Sequence, residues 1–145
     1  MIEENDVIER ILKGSQTIAV VGLSPRPDRP SHSVARYLQA QGYRIIPVNP
    51  MVEEVLGQRS YPDLASIPGE VDVVDIFRRP EHVPPIVEQA IQIGARAVWM
   101  QEGVINQEAA ERAREAGLDV VMDRCMFKEH SRLVREGKLK VPSEE

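Results

Sequence analysis

Four arginines and the start of a helix carry the clearest chemistry in this sequence. Arg26 and Arg29 stand in the stretch Gly22-Leu23-Ser24-Pro25-Arg26-Pro27-Asp28-Arg29-Pro30-Ser31-His32-Ser33, and Arg78 and Arg79 follow far downstream. Guanidinium groups bind phosphate oxygens through paired N–H bonds. A helix opening near Ser31 or Ser33 adds unpaired backbone N–H groups and the positive end of its dipole. In a chain of net charge −5, such a local cluster points to a small polyphosphate. A general nucleic-acid binder would need a broad basic face, and none is expected here.

The remaining reactive residue types are sparse. His32, His82 and His130 are the only histidines, and their spacing fits no metal site. His32, at the helix start, is a candidate phosphate donor. Cys125 is the only cysteine. Arg124 and a following helix N-terminus are what a reactive cysteine would draw on, but no base stands near it in sequence, so it reads as a small apolar residue closing a strand. Asp72 and Asp75 alternate with apolar residues; one is expected to cap or pair at a strand end, and they do not form an acid/base pair. Trp99 and Phe77 read as core or pocket wall. No complete catalytic constellation is found, so the expectation is a protein that is not an enzyme.

These residues need a scaffold, and the hydrophobic pattern supplies one. Residues 2 to 13 form an amphipathic helix by spacing, with Ile2, Val7, Ile8, Ile11 and Leu12 on one face. Short apolar strands are expected at Thr17–Gly22, Arg44–Val48, Val71–Phe77, Ala97–Met100 and Leu118–Met122. Helices are expected from about Val34 to Gln41, from Val83 to Ile93, from Gln107 to Ala116 behind an Asn106 cap, and from Met126 to about Arg135. Met51 to Pro68 is the least regular segment and should hold a short helix or an extended connection. Residues 138–145 should fray. Alternating strands and helices predict an α/β fold, a single Rossmann-like doubly wound parallel sheet of about five strands with helices on both faces, ordered 3-2-1-4-5.

In such a sheet ligands bind beyond the carboxyl ends of the strands. This sequence places there the Gly22–Ser33 stretch, then Asn49-Pro50, then Phe77-Arg78-Arg79-Pro80, then Gln101-Glu102-Gly103, then Asp123-Arg124-Cys125. A nicotinamide site would show G-x-G-x-x-G and an acidic residue ending the second strand. Here Gly22 is followed by Leu23 and Ser24, and the second strand ends at Asn49. That disfavours NAD. NADP is less strongly excluded, because it does not need the acidic residue.

Length and composition agree with one globular domain. The chain has 145 residues, 42% of them hydrophobic and 28% charged, enough for a core without staples. A single cysteine suits a reducing cytosol. The acidic, helix-periodic start does not resemble a signal peptide, and no apolar run approaches a bilayer span. A cytoplasmic protein without membrane contact is expected.

The order of these elements also resembles a known family. The stretches AVVGLSPRPDRPSHSVARYL, IIPVNP, VDVVDIFRRPEHVPPIVEQAIQIGARAVWMQEGV and VVMDRCMFKEH are together similar to a stand-alone CoA-binding domain protein, and to the N-terminal CoA-binding domain of the succinyl-CoA synthetase alpha subunit. The resemblance implies coenzyme A or acyl-CoA as ligand. Gly22, Leu23, Ser24, Pro25 and Arg26 would contact its ADP portion, and His32 and Ser33 would lie below the diphosphate. Asn49 and Pro50 would border the nucleotide, Phe77 to Pro80 would form the next wall, and Met100, Gln101 and Glu102 would meet the pantetheine arm. Cys125 falls where the synthetase also has a cysteine. The synthetase has a glycine-and-lysine stretch after its second strand, whereas this chain has Met51-Val52-Glu53-Glu54. Arg26, Arg29, Arg78 or Arg79 must therefore hold the 3′-phosphate. The chain is expected to stop short of the synthetase's phosphohistidine domain, so the likeness extends to binding and not to ligase activity. The expected role is a non-catalytic carrier, sensor or regulatory module, with a homodimer or another protein partner left open. The alternatives are an NADP- or CoA-dependent oxidoreductase or acyl transferase, and an interaction subunit with a vestigial nucleotide site.

Overall fold

Strand formation follows the β-branched runs. In the computed structural model, which describes residues 3–142, five parallel strands form the main sheet: β1 (Thr17–Val21), β2 (Arg44–Val48), β5 (Val73–Ile76), β6 (Ala97–Met100) and β7 (Asp119–Val121). A short antiparallel hairpin, β3 (Glu54–Val55) and β4 (Gln58–Arg59), occupies part of the segment expected to be irregular. Five α-helices cover the sheet: α1 (Glu4–Gly14), α2 (Pro30–Ala40), α3 (Val83–Gln92), α4 (Gln107–Glu115) and α5 (Met126–Arg135). The expected start of α1 at Ile2 lies outside the described residues. So do Ser143 to Glu145 at the end of the tail. Up to Pro142 the tail is held in part: Lys138 and Leu139 N–H donate to the Leu133 carbonyl, and Leu139 packs on the core. No helix among the described residues is long and apolar enough to cross a membrane.

Because each strand is buried on both faces, its side chains alternate between two cores. Ala19, Val21, Val74, Ile76, Val98, Met100 and Val120 pack against α3 and α4. Ile18, Val20, Val73, Trp99 and Val121 pack against α1, α2 and α5. The α/β fold with helices on both faces is as expected. The strand order is not. It is β2-β1-β5-β6-β7, which in chain order of the main strands is 2-1-3-4-5 and corrects the expected 3-2-1-4-5. Both orders bury the same runs and permit right-handed crossovers, so hydrophobic pattern alone does not choose between them.

Two local features set the observed choice. At the amino end of β5, Asp72 Oδ2 accepts from Gln16 N and Thr17 N at 2.8 and 3.0 Å, which ties it directly to the start of β1. At the carboxyl end, Gly22 packs on Phe77 without a side chain between them. Asp72→Ala should lower stability by about 2 kcal/mol, since it strips two backbone donors of their acceptor. Urea unfolding of the variant measures this.

Candidate functional site

With order 2-1-3-4-5 the chain reverses direction across the sheet between β1 and β5, and the ligand crevice of such a sheet lies at that switch. Gly22 forms its floor. Its φ is +89°, and a Cβ there would overlap the Phe77 carbonyl oxygen and lie 3.4 Å from Arg78 Nε. Only glycine permits this approach. The ends of β1 and β5 are thereby brought together, with the Arg78 side chain reaching across Gly22.

The loop after Gly22 is braced by its own backbone. Leu23 is fully buried and its carbonyl accepts from Asn49 Nδ2 at 3.0 Å. Ser24 N donates to Ser31 Oγ at 3.0 Å, and Arg26 N to Ser24 Oγ at 3.1 Å. The helix then opens at Pro30, where a missing N–H costs nothing. Its N-cap residue Arg29 makes no side-chain cap. His32 and Ser33 N–H bond the Arg29 carbonyl, while Ser31 N–H has no backbone acceptor among the described residues. A cleft of about 370 Å³ results, lined by Gly22, Ser24, Arg26, Arg29, Pro30, Ser31 and Phe77.

The cleft is cationic. Arg26 pairs with Asp28 at 3.0 Å, but both side chains are more than half exposed, 63% and 65%, so water screens the pair and an anion can compete for the arginine. Arg29, Arg78 and Arg79 are exposed and make no salt bridge among the described residues.

The expected residues thus divide. Gly22, Ser24, Arg26, Arg29 and Phe77 line one crevice, and Arg78 overhangs it. Pro25 is an exposed part of the loop. Asn49 holds the loop from behind, its Oδ1 accepting from Met51 N, and Pro50 is exposed beside it. Arg79 caps a short 3-10 turn at Pro80–His82, and the Pro80 carbonyl accepts from Asn106 Nδ2 at 2.9 Å. His32 is 8% exposed with Nδ1 unpartnered, and Ser33 is half-buried.

Three expectations need correction. Leu23 offers only backbone, because its side chain belongs to the core. Met100 is 0% exposed within the α3–α4 core, and Gln101, 3% exposed, spends its amide on Asp75. Neither of the last two presents a side chain to a ligand. They end a strand that is buried on both faces, and that burial outweighs their position at its tip. Glu102 is exposed but bonded to Lys128 Nζ through both oxygens at 3.0 Å. It lines a separate cleft of about 520 Å³ with Arg124, Cys125 and Lys128, beyond β6 and β7.

Sequence reasoning named Ser31 as a possible helix start without giving it a ligand contact, and it weighed Asp75 only as a strand-end partner. The signal for Ser31 was Pro30, a residue suited to the first helical position, which places the helix start earlier than apolar periodicity does. Asp75 is fully buried, and burial pushes its carboxyl up to about 7 despite the hydrogen bond from Gln101. The strand-end pairing expected of one aspartate belongs to Asp72.

A cationic, glycine-floored crevice admits any nucleotide polyphosphate, so geometry leaves the ligand class open. The model of the CoA-binding domain family matches residues 16–131. The chain belongs to the CoA-binding domain family. It is 44% identical over 124 residues to the uncharacterized protein YneT of Bacillus subtilis, covering 86% of this chain and 92% of that one. The alpha subunit of an ADP-forming acetate–CoA ligase II of Pyrococcus furiosus is 31% identical over 99 residues, 68% of this chain but 22% of its own length. A solved hypothetical protein of Pyrococcus horikoshii superposes with a TM-score of 0.86 at 44% identity, covering 92% and 93% of the two chains. The crevice fits the family's ligand on its own evidence, since a Cβ-free floor and unpaired guanidinium groups suit a diphosphate. The CoA-binding domain match starts after α1, so that helix lies outside it.

Proposed function

We propose that this CoA-binding domain holds coenzyme A or acyl-CoA as a non-catalytic carrier, sensor or regulatory module. The observation that carries this reading is the meeting of Gly22, Phe77 and Arg78 beside the open N–H of Ser31, at the sheet's switch point. The diphosphate would lie over Gly22 and the α2 N-terminus, where helix dipole and backbone donors favour negative charge. Arg26 and Arg29 flank that position, and Arg78 would take the 3′-phosphate. The non-catalytic part of the reading is supported at Cys125. Among the described residues no histidine lines the cleft around the thiol, and the cations beside it, Arg124 and Lys128, are paired with Glu4 and Glu102, so the imidazole that activates a nucleophilic cysteine is not at hand there.

Calorimetry with CoA, dephospho-CoA, NAD and NADP tests the proposal. CoA should bind, and dephospho-CoA should bind about ten-fold more weakly, the scale of one charge-assisted bond. Arg78→Ala should bring the two to equal affinity. Binding of NADP with no heat from CoA would overturn the reading. Turnover of a CoA thioester that is lost in Cys125→Ser would overturn its non-catalytic part.

A further inference from the structure

The proposed site leaves a buried carboxyl unused two residues from its Phe77 wall. Asp75 lies on the face of β5 covered by α2 and α5, between Val73 and Phe77, which both pack in that layer. It is 0% exposed. Among the described residues its only polar contact is neutral: Gln101 Nε2 donates to Oδ1 at 2.7 Å, and Oδ2 has no partner.

The surroundings offer the carboxyl no compensating charge. On this face β1 presents Ile18 and Val20, and α1 presents Ile8, Ile11 and Leu12. From β6 comes Trp99, whose Nε1 donates to the Arg124 carbonyl, and Gln101 follows that strand. From α5 come Glu129, bonded to Arg132, and His130, bonded to Tyr37, with Cys125 at that helix's N-cap. From α2 comes His32, whose Nδ1 is also unpartnered. Among the described residues no cation bonds to Asp75. Two residues on, just past the end of β5 and roughly 7 Å away at strand spacing, stands Phe77, the wall of the crevice.

On the reading of that crevice as a CoA site, we propose that Asp75 couples ligand binding to proton uptake, so that the polyphosphate is held more tightly when the carboxyl carries a proton. An ionised carboxylate buried under the site repels the phosphates through protein rather than water. At about 10 Å and an effective dielectric of about 20, one phosphate charge changes the affinity on the order of ten-fold. Burial already brings the titration of this group to about 7. Linkage is reciprocal, so bound ligand must raise it further.

The test is calorimetry of the full chain with CoA at about pH 6 and about pH 8, in buffers of unlike ionisation heat, for the protein and for Asp75→Asn. The ligand's own phosphates titrate in both proteins and cancel in the comparison. The protein should take up more protons than the variant on binding, and its affinity should fall about ten-fold more than the variant's as pH rises. Equal uptake, with sound CoA binding in both, overturns the linkage and leaves the site reading intact. Uptake abolished by His32→Gln and untouched by Asp75→Asn assigns the proton to the imidazole and overturns it also. Absence of CoA binding by the protein at either pH overturns the site reading itself, and the linkage with it. Should the Asn variant not fold, carbon-13 titration of the Asp75 carboxyl decides. Its midpoint should rise by about one unit in saturating CoA, and an unmoved midpoint overturns the proposal.

Discussion

Gly22→Ala should lower stability by about 3 kcal/mol and abolish CoA binding. Two costs combine. The positive φ of +89° is one that alanine adopts only with strain, about 1 kcal/mol. The added Cβ must also displace the Phe77 carbonyl, which directly follows a central strand and is tied to β1 by the bond from Phe77 N–H to the Val21 carbonyl; overpacking of that kind costs roughly 1–3 kcal/mol. Displacement widens the gap between β1 and β5, and that gap is the floor of the crevice. Gly57→Ala is the internal control. Its φ is +75° but nothing lies within 4 Å of its Cβ position, so it should lose only about 1 kcal/mol and keep its ligand. Urea unfolding and calorimetry of the two variants make the comparison, and equal behaviour would refute the role given to Gly22.

Asp75→Asn should remove a pH dependence of stability worth up to about 4 kcal/mol. The carboxyl titrates at about 7 when folded and at 3.8 in its ordinary state, the rise being caused first by burial. An acid whose folded value is raised is stabilising in its protonated form. Its contribution is complete below the unfolded value and is lost as pH climbs to the folded one. The span is about 3 units at about 1.4 kcal/mol each. Relative to the variant, the protein should therefore lose stability between about pH 4 and about pH 7 and run parallel to it above that. Urea midpoints across this range give the difference curve. A flat difference would show that Asp75 is ionised and solvated in the folded chain.

How much of this was legible in the residues depended on what kind of signal each element leaves. The five main strands are β-branched and apolar on both faces, and α3, α4 and α5 have clear periodicity or caps, so their positions were readable. Hairpin β3–β4 turns on Leu56 and Gly57, with φ values of +54° and +75°. Leucine is a poor advertisement for a tight turn that normally calls for asparagine or aspartate before glycine, and the hairpin was passed over. Strand order was misjudged because it rests on two contacts between distant residues, Asp72 with Gln16 and Thr17, and Gly22 with Phe77. Neither has a local pattern. The cationic loops were legible by residue type, and they do converge at Arg26, Arg29 and Arg78. Met100 and Gln101 were placed at the ligand by the family resemblance, at the end of a strand. Burial placed them in the interior instead, where side-chain direction, invisible in the sequence, decides.

The central claim is that CoA is bound where the carboxyl ends of β1 and β5 meet under the start of α2. Backbone amide NMR during a CoA titration reads this residue by residue. The largest shifts should fall on Gly22, Ser24, Ser31, His32, Phe77 and Arg78, with Gly57 and the α3–α4 surface unmoved. Shifts concentrated elsewhere, or a spectrum unchanged by saturating CoA, would contradict the account.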